Sequence, residues 1–320
     1  MNQSYRIFSL ICLATFWMSC GDNDASSDST NGSDGGGDTD TDASSDADGD
    51  SDSDSDSDGD TDTDSDTDNA LTYPIVDTNQ LECYGSSTEM TCPDPGESFY
   101  GQDAQYDGAQ PRYKNNGDGT VTDLVTGLMW QKGYGQTKLN YDQAMSQAST
   151  FDLAGYDDWR VPTIKEQFSL ILFSGNEPNP NASDASGVVP FLDDHVFDFR
   201  FGDPSAGQRV IDAQYISSTK YVSTTMGGNE TVFGVNFADG RIKGYPASRD
   251  MFEIKYVRGN PDYGTNTFVD NKDGTISDLA TGLMWSEQDS GDALDWEEAL
   301  AWIEAKNDTK YLGYYEFSGH

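Results

Sequence analysis

Residues Asn115 to Trp130 read NNGDGTVTDLVTGLMW, and residues Asp270 to Trp285 read DNKDGTISDLATGLMW. Eleven of these sixteen positions are identical at an offset of 155, which chance does not supply. The same offset aligns Leu139 to Met145, LNYDQAM, with Leu294 to Leu300, LDWEEAL. In each copy Asp-Gly supplies a turn, Val121 or Ile276 starts a strand, and Thr-Gly turns the chain into Leu-Met-Trp, a hairpin pattern. Asn140 with Gln143, and Asp295 with Glu298, have the spacing of a capping box at a helix start. Tyr141, Ala144, Met145 and Ala148, like Trp296, Ala299, Leu300 and Ile303, recur at helical spacing and predict one buried face.

Outward from the first copy the chain continues through Asp158-Trp159-Arg160-Val161-Pro162-Thr163. Thr163 and Glu166 form another capping box, and Pro162 blocks helix from extending backwards. Ile164, Phe168, Ile171 and Leu172 form the inward stripe of a second helix. Strand-like runs follow at 214–217, 231–237, 241–245 and 253–258, with Ala238-Asp239-Gly240 as a hairpin turn. The second copy has no such continuation. The expected organisation is therefore a complete domain over 71–260 and a partial, truncated copy over 261–320, either loosely ordered or leaning on the first.

The N-terminal part reads differently. Arg6 precedes an apolar run from Ile7 to Met18 that is too short for a membrane-spanning helix but fits a signal peptide over 1–20. Ser19-Cys20-Gly21 resembles the bacterial lipoprotein signal, which makes Cys20 the expected lipidation site. Between Gly21 and Asp68 there are 19 Asp and no Lys, Arg or Glu. Such a tract has no apolar surface to offset the entropy of ordering, so 21–70 is expected to be a disordered, extended linker. Asp46, Asp48 and Asp50 alternate as calcium-loop ligands do, but the tract lacks the Glu that closes such a loop. With Cys20 lipidated, Cys83 and Cys92 remain as an expected disulfide in an oxidising compartment.

Composition narrows the function. The formal charge is -39, and 38 acidic against 17 basic residues follow position 68, so a nucleic-acid partner is excluded. With two His and four Cys, no metal site or cofactor is expected. Asp193-Asp194-His195 holds the domain's one His, but adjacent residues rarely face one ion, and Val196, Phe197 and Phe199 suggest a packed turn. Asp118, Asp123, Asp273 and Asp278 read as turn-capping carboxylates rather than calcium ligands. Trp130 and Trp159 read as core residues, and Asp158 and Arg160 as a pair tying a turn together. No catalytic residue is assigned, and the chain is read as non-enzymatic.

Gly101-Gln102-Asp103-Ala104, Asn116 to Asp123, Thr126 to Trp130, Asp158 to Thr163 and Tyr256-Val257-Arg258 together resemble the Lcl C-terminal domain family. Arg160-Val161-Pro162-Thr163 with Glu166 also resembles the helix-opening box of formylglycine-generating-enzyme-like domains. The resemblance implies an α+β, C-type-lectin-like fold, with two helices flanking a twisted antiparallel sheet. It also implies a recognition or adhesion module, since the family's namesake is a surface adhesin that binds sulfated glycans. The expected partners are a glycan or cell-surface polymer, with the membrane reached through the lipid anchor. The expected location is the bacterial envelope, at the outer membrane or cell surface. The densest basic group, Arg241, Lys243, Arg249, Lys255 and Arg258, is the candidate binding patch; the plainer alternative is that these side chains lie on solvated strand faces. Oligomeric state has no sequence signal.

Overall fold

The computed structural model describes residues 71–249, 251–310 and 312. The expected leader, Cys20 and the acidic linker lie outside the described residues. The described part is α+β, with four antiparallel sheets among these residues and few helices. β1 (Cys83–Tyr84) and β2 (Glu89–Met90) form a small hairpin that the Cys83–Cys92 disulfide closes, as expected from the cysteine count.

The first copy of the repeated sequence forms β3 (Tyr113–Asn115), β4 (Thr120–Asp123) and β5 (Met129–Gln131). Asp118 makes the first turn by accepting from the Thr120 N–H at 3.0 Å and its hydroxyl at 2.6 Å, while Gly117 and Gly119 take positive φ. The segment then enters α1 (Tyr141–Ala148), capped by reciprocal bonds between Asn140 and Gln143. This helix buries only Ala144 and Ala148; Met145, expected on the inner face, is exposed, and Tyr141 is half-buried. Two alanines let the helix lie close to the core, and that close approach leaves the longer side chains at its flanks.

α2 (Ile164–Phe168) is capped by Thr163 and Glu166 and is shorter than the apolar stripe suggests. Its buried residues are polar: Glu166 and Gln167. Gln167 donates to Ile216 O at 2.5 Å and accepts from Val235 N at 3.2 Å, so it supplies hydrogen bonds beside the point where strand register slips. Those strands are β6 (Gln214–Thr225), β7 (Asn229–Asn236) and β8 (Arg241–Pro246), in the order β6-β7-β8. β6 runs eight residues beyond the expected end, because its two register shifts carry it on through a polar, half-exposed stretch with little apolar alternation.

The expected strand at 253–258 is a buried crossover. Phe252 pairs with Leu139, Glu253 with Tyr215, and Val257 with both Arg160 and Trp130. Only β9 (Val257–Arg258) joins a ladder, completing the sheet order β3-β4-β5-β9. Because residues 252–257 pass between layers, all of them are buried, including Glu253 and Lys255. Trp130 and Trp159 are core residues, as expected.

The second copy forms β10 (Phe268–Asp270), β11 (Thr275–Asp278), β12 (Met284–Ser286) and α3 (Trp296–Asp308). Registers repeat at the same offset: Tyr113↔Asp123 and Val121↔Trp130 become Phe268↔Asp278 and Ile276↔Trp285. Of the α3 stripe only Leu300 is fully buried. Residues 261–310 pack against the first unit. Thr72 N donates to Ala280 O at 2.8 Å, Trp296 Nε1 donates to Tyr84 O at 3.2 Å, and Lys165 Nζ donates to Gly264 O at 2.6 Å. Tyr263 and Ala280 belong to the same core cluster as Trp130, so the apolar core continues across the expected boundary at 260.

Candidate functional site

Residues 153–160 build the site. Ala154 and Gly155 take positive φ in a tight turn that pairs Leu153 with Tyr156. The chain then straightens along β9, with Arg160 N donating to Val257 O at 2.9 Å and Val257 N returning a bond to Arg160 O at 3.0 Å. Extended backbone alternates its side chains, so Trp159 enters the core while Asp158 and Arg160 leave on the opposite face.

Asp158 and Arg160 do not tie one turn together, as their spacing suggested. Each has a different partner, six residues on for Arg160 and a hundred residues on for Asp158. Arg160 grips the buried Glu166 through Nη1 to Oε2 at 2.7 Å and Nη2 to Oε1 at 2.5 Å. Asp158 receives Arg258 Nε at 2.6 Å and Nη2 at 3.1 Å. This bidentate bond from Arg258 holds the Asp158 carboxyl below the usual carboxylate range and the guanidinium above its own. The Arg258 guanidinium carbon lies 3.8 Å from the centroid of the exposed Tyr156 ring, and Nη1 reaches Met129 Sδ at 3.8 Å. A surface aromatic, a guanidinium and an exposed carboxylate thus meet at one edge of the sheet. Together they offer an apolar ring surface, N–H donors and acceptor oxygens with little net charge.

The other four expected binding residues do not join this cluster. Arg241 pairs with Glu177 at 2.5 Å and with Asp239 at 3.4 Å, and Lys243 also pairs with Asp239. Asp239 is buried, which pushes its carboxyl up, while Lys243 and Arg241 act in the opposite sense. Arg249 is exposed. Lys255 is fully buried and lies on no solvated strand face. Its Nζ donates to Lys132 O at 2.8 Å, Gly133 O at 2.7 Å and Gln131 O at 3.3 Å, and sits 5.1 Å from the Phe197 ring centroid. Burial brings its pKa down to about 7. The sequence carried no sign of these acceptors, because backbone carbonyls leave no mark in it.

His195 is exposed in a turn whose Asp193 carboxylate accepts the His195 backbone N–H at 3.1 Å. No group of three or more His, Cys, Asp or Glu side chains that could hold a metal occurs among the described residues. Asp273 repeats the turn-capping role of Asp118 through the Thr275 N–H and hydroxyl. Asp123 Oδ1 accepts from Val125 N and Thr126 N, and burial raises this carboxyl. Asp278 is also buried, which by itself raises a carboxyl, but bonds from Thr267 N, Asn266, Thr281 and Ala280 N outweigh that and lower it.

Among known proteins, residues 119–258 match the family model described as Lcl C-terminal domain. No curated protein and no solved structure matches the chain.

Proposed function

We propose that this chain, whose residues 119–258 match the Lcl C-terminal domain model, serves as a non-catalytic recognition module for a glycan or glycan-like envelope polymer. In this reading the fold is C-type-lectin-like and the contact surface is formed by Tyr156, Asp158 and Arg258. The observation that carries it is their convergence: a sugar ring can lay its apolar face on an aromatic side chain while its hydroxyls bond a carboxylate and a guanidinium. Asp158 already neutralises Arg258, and the chain as a whole is strongly acidic. The preferred ligand is therefore a hydroxyl-rich, uncharged sugar rather than a sulfated one, which would have to displace Asp158 and approach against the net charge. The accompanying placement is export by the leader, lipidation at Cys20, and display on the acidic linker.

A glycan array carrying neutral and sulfated sugars tests the binding reading. Reproducible binding of neutral glycans, lost in both Tyr156→Ala and Arg258→Ala, is the expected result. A blank array, or binding indifferent to both substitutions, refutes it. Mass analysis of the mature N-terminus tests the placement: an intact leader contradicts it.

A further inference from the structure

Lys165 and Asn266 meet where the second copy packs against the first unit. Lys165 stands in α2, and its Nζ donates to Asn266 Oδ1 and, at 2.6 Å, to Gly264 O. Asn266 Nδ2 in turn donates to Asp278 Oδ2 at 2.5 Å. The loop before β10 is shaped for this approach: Gly264 takes a φ of +83°, and a Cβ there would lie 2.8 Å from Lys165 Cβ and 3.0 Å from its Cδ. An amine, an amide and a carboxylate are thus held in a row.

Water has little access to this row. Asp278 is 0% exposed, and Lys165 and Asn266 are half-buried. Ala280 N donates to Asp278 Oδ1 at 3.2 Å, and Tyr73, whose hydroxyl is pushed up by burial and then by the Asp278 charge, packs on Tyr263 with ring centroids 4.8 Å apart. Burial pushes the Lys165 ammonium down, and the Asp278 charge acts in the opposite sense. At the offset of 155, Asp278 corresponds to Asp123 and Asn266 to Pro111. Asp123 Oδ2 is buried without a partner, so the amide is an addition of the second copy and not part of the turn that the two units share.

We propose that Lys165 and Asn266 join in an intramolecular isopeptide bond, with Asp278 as the proton-transfer group. Asp278 takes a proton from the Lys165 ammonium, which leaves Nζ with a free electron pair. Nζ attacks Asn266 Cγ, and the Nζ–Cγ bond forms. Asp278 hands its proton to Nδ2, so that the Cγ–Nδ2 bond breaks with ammonia as the leaving group, and then takes up the proton that Nζ sheds. Ammonia carries that proton away as ammonium, and Asp278 returns to its ionised form. No oxidant or co-reactant is consumed. The fold contributes by holding amine and amide together, which removes the entropy cost of their encounter. The product fastens residues 261–310 covalently to the first unit, and it is independent of the glycan reading.

The test is a tryptic peptide map of the full chain, folded and held near neutral pH, then reduced and denatured before digestion. The expected product is a branched peptide in which 161–200, uncut at Lys165, is joined to 259–272, the whole lighter than its two parts by one ammonia. Fragment ions should place the link at Lys165 and Asn266. Lys165→Arg, which keeps a cation but cannot form this amide, and Asn266→Ala should each yield only unbranched peptides. Asp278→Asn, which keeps an acceptor for Thr267 N, should slow the appearance of the branch about a hundredfold. Should any variant fail to fold, the wild-type map still decides. Unbranched 161–165 and 259–272 as the sole products of the wild-type chain overturn the inference, as does a branch that survives Asn266→Ala. Ammonia loss without a branch also counts against it, because a succinimide at Asn116-Gly117 would then account for the mass. An unchanged rate in folded Asp278→Asn overturns the part given to that carboxylate.

Discussion

Replacing Arg160 with alanine isolates the contact that fastens the Asp158-Trp159-Arg160 segment to α2. The Glu166 side chain is 0% exposed and that of Arg160 is 30% exposed, with two short bonds between them. Glu166 Oε2 also accepts the Thr163 N–H at 2.7 Å, so the same carboxylate caps the helix. Removing one partner of a buried pair costs about 3 to 5 kcal/mol, because the remaining charge is left in a poorly solvated place. Water reaches part of the guanidinium, which reduces the pair's worth, and about 2 to 3 kcal/mol is expected. Urea denaturation of Arg160→Ala measures this directly. Glu166→Gln keeps the cap acceptor while discharging the site, so the double variant should be more stable than Arg160→Ala alone, with a coupling of about 1 to 2 kcal/mol. A loss below about 0.5 kcal/mol in Arg160→Ala, or strict additivity in the cycle, would show that the Arg160–Glu166 pair does not fasten the segment to α2.

Lys255 gives a pH signature. Its folded pKa of about 7 lies below the ordinary lysine value, so between the two the unfolded chain holds a proton that the folded one has released. Stability therefore rises with pH from about 7 to 9, by up to about 1.4 kcal/mol per pH unit, in unfolding curves taken across that range. Lys255→Met should abolish the rise and leave the carbonyls of residues 131–133 short of a donor; a rise unchanged in that variant would place its origin elsewhere. Reduction of Cys83–Cys92 should lower stability by about 2 to 3 kcal/mol on the loop-entropy argument, read as a shift in the urea midpoint; an unmoved midpoint contradicts it. Gly234→Ala should fail to fold or lose several kcal/mol, because a Cβ there would overlap the Tyr215 carbonyl oxygen. Wild-type stability in that variant would show that β6 and β7 are not packed as described.

What could be read from the sequence were the local devices. The Asp-Gly turns, the three capping boxes and the β7–β8 hairpin are each written within a few residues, and each is formed as read. The side-chain pairings were not legible. Arg160 finds Glu166 while Asp158 finds Arg258 a hundred residues away, and neighbouring positions gave no sign of that exchange. Glu253 read as the start of a strand and Lys255 as a residue of a basic group on solvated strand faces, yet the crossover between sheets buries both. Arg200 satisfies the first, with Nη2 at 2.9 Å from Oε1, and backbone carbonyls satisfy the second. The two tryptophans of the repeated motif differ for a related reason. Trp130 is covered because β9 returns to β5, and Trp285 is exposed although its local sequence is the same. Local sequence determines the hairpin, while the neighbour across its edge determines burial.

Whether Tyr156, Asp158 and Arg258 form a glycan-binding surface is decided by backbone and Arg side-chain NMR shifts on titration with a neutral oligosaccharide selected from the array. Saturable shifts are expected at the Arg258 Nε–H and at the amides of residues 155–158, with His195 and β12 unmoved. Shifts confined to β8, to His195 or to β12, or no shifts at saturating sugar, would contradict it.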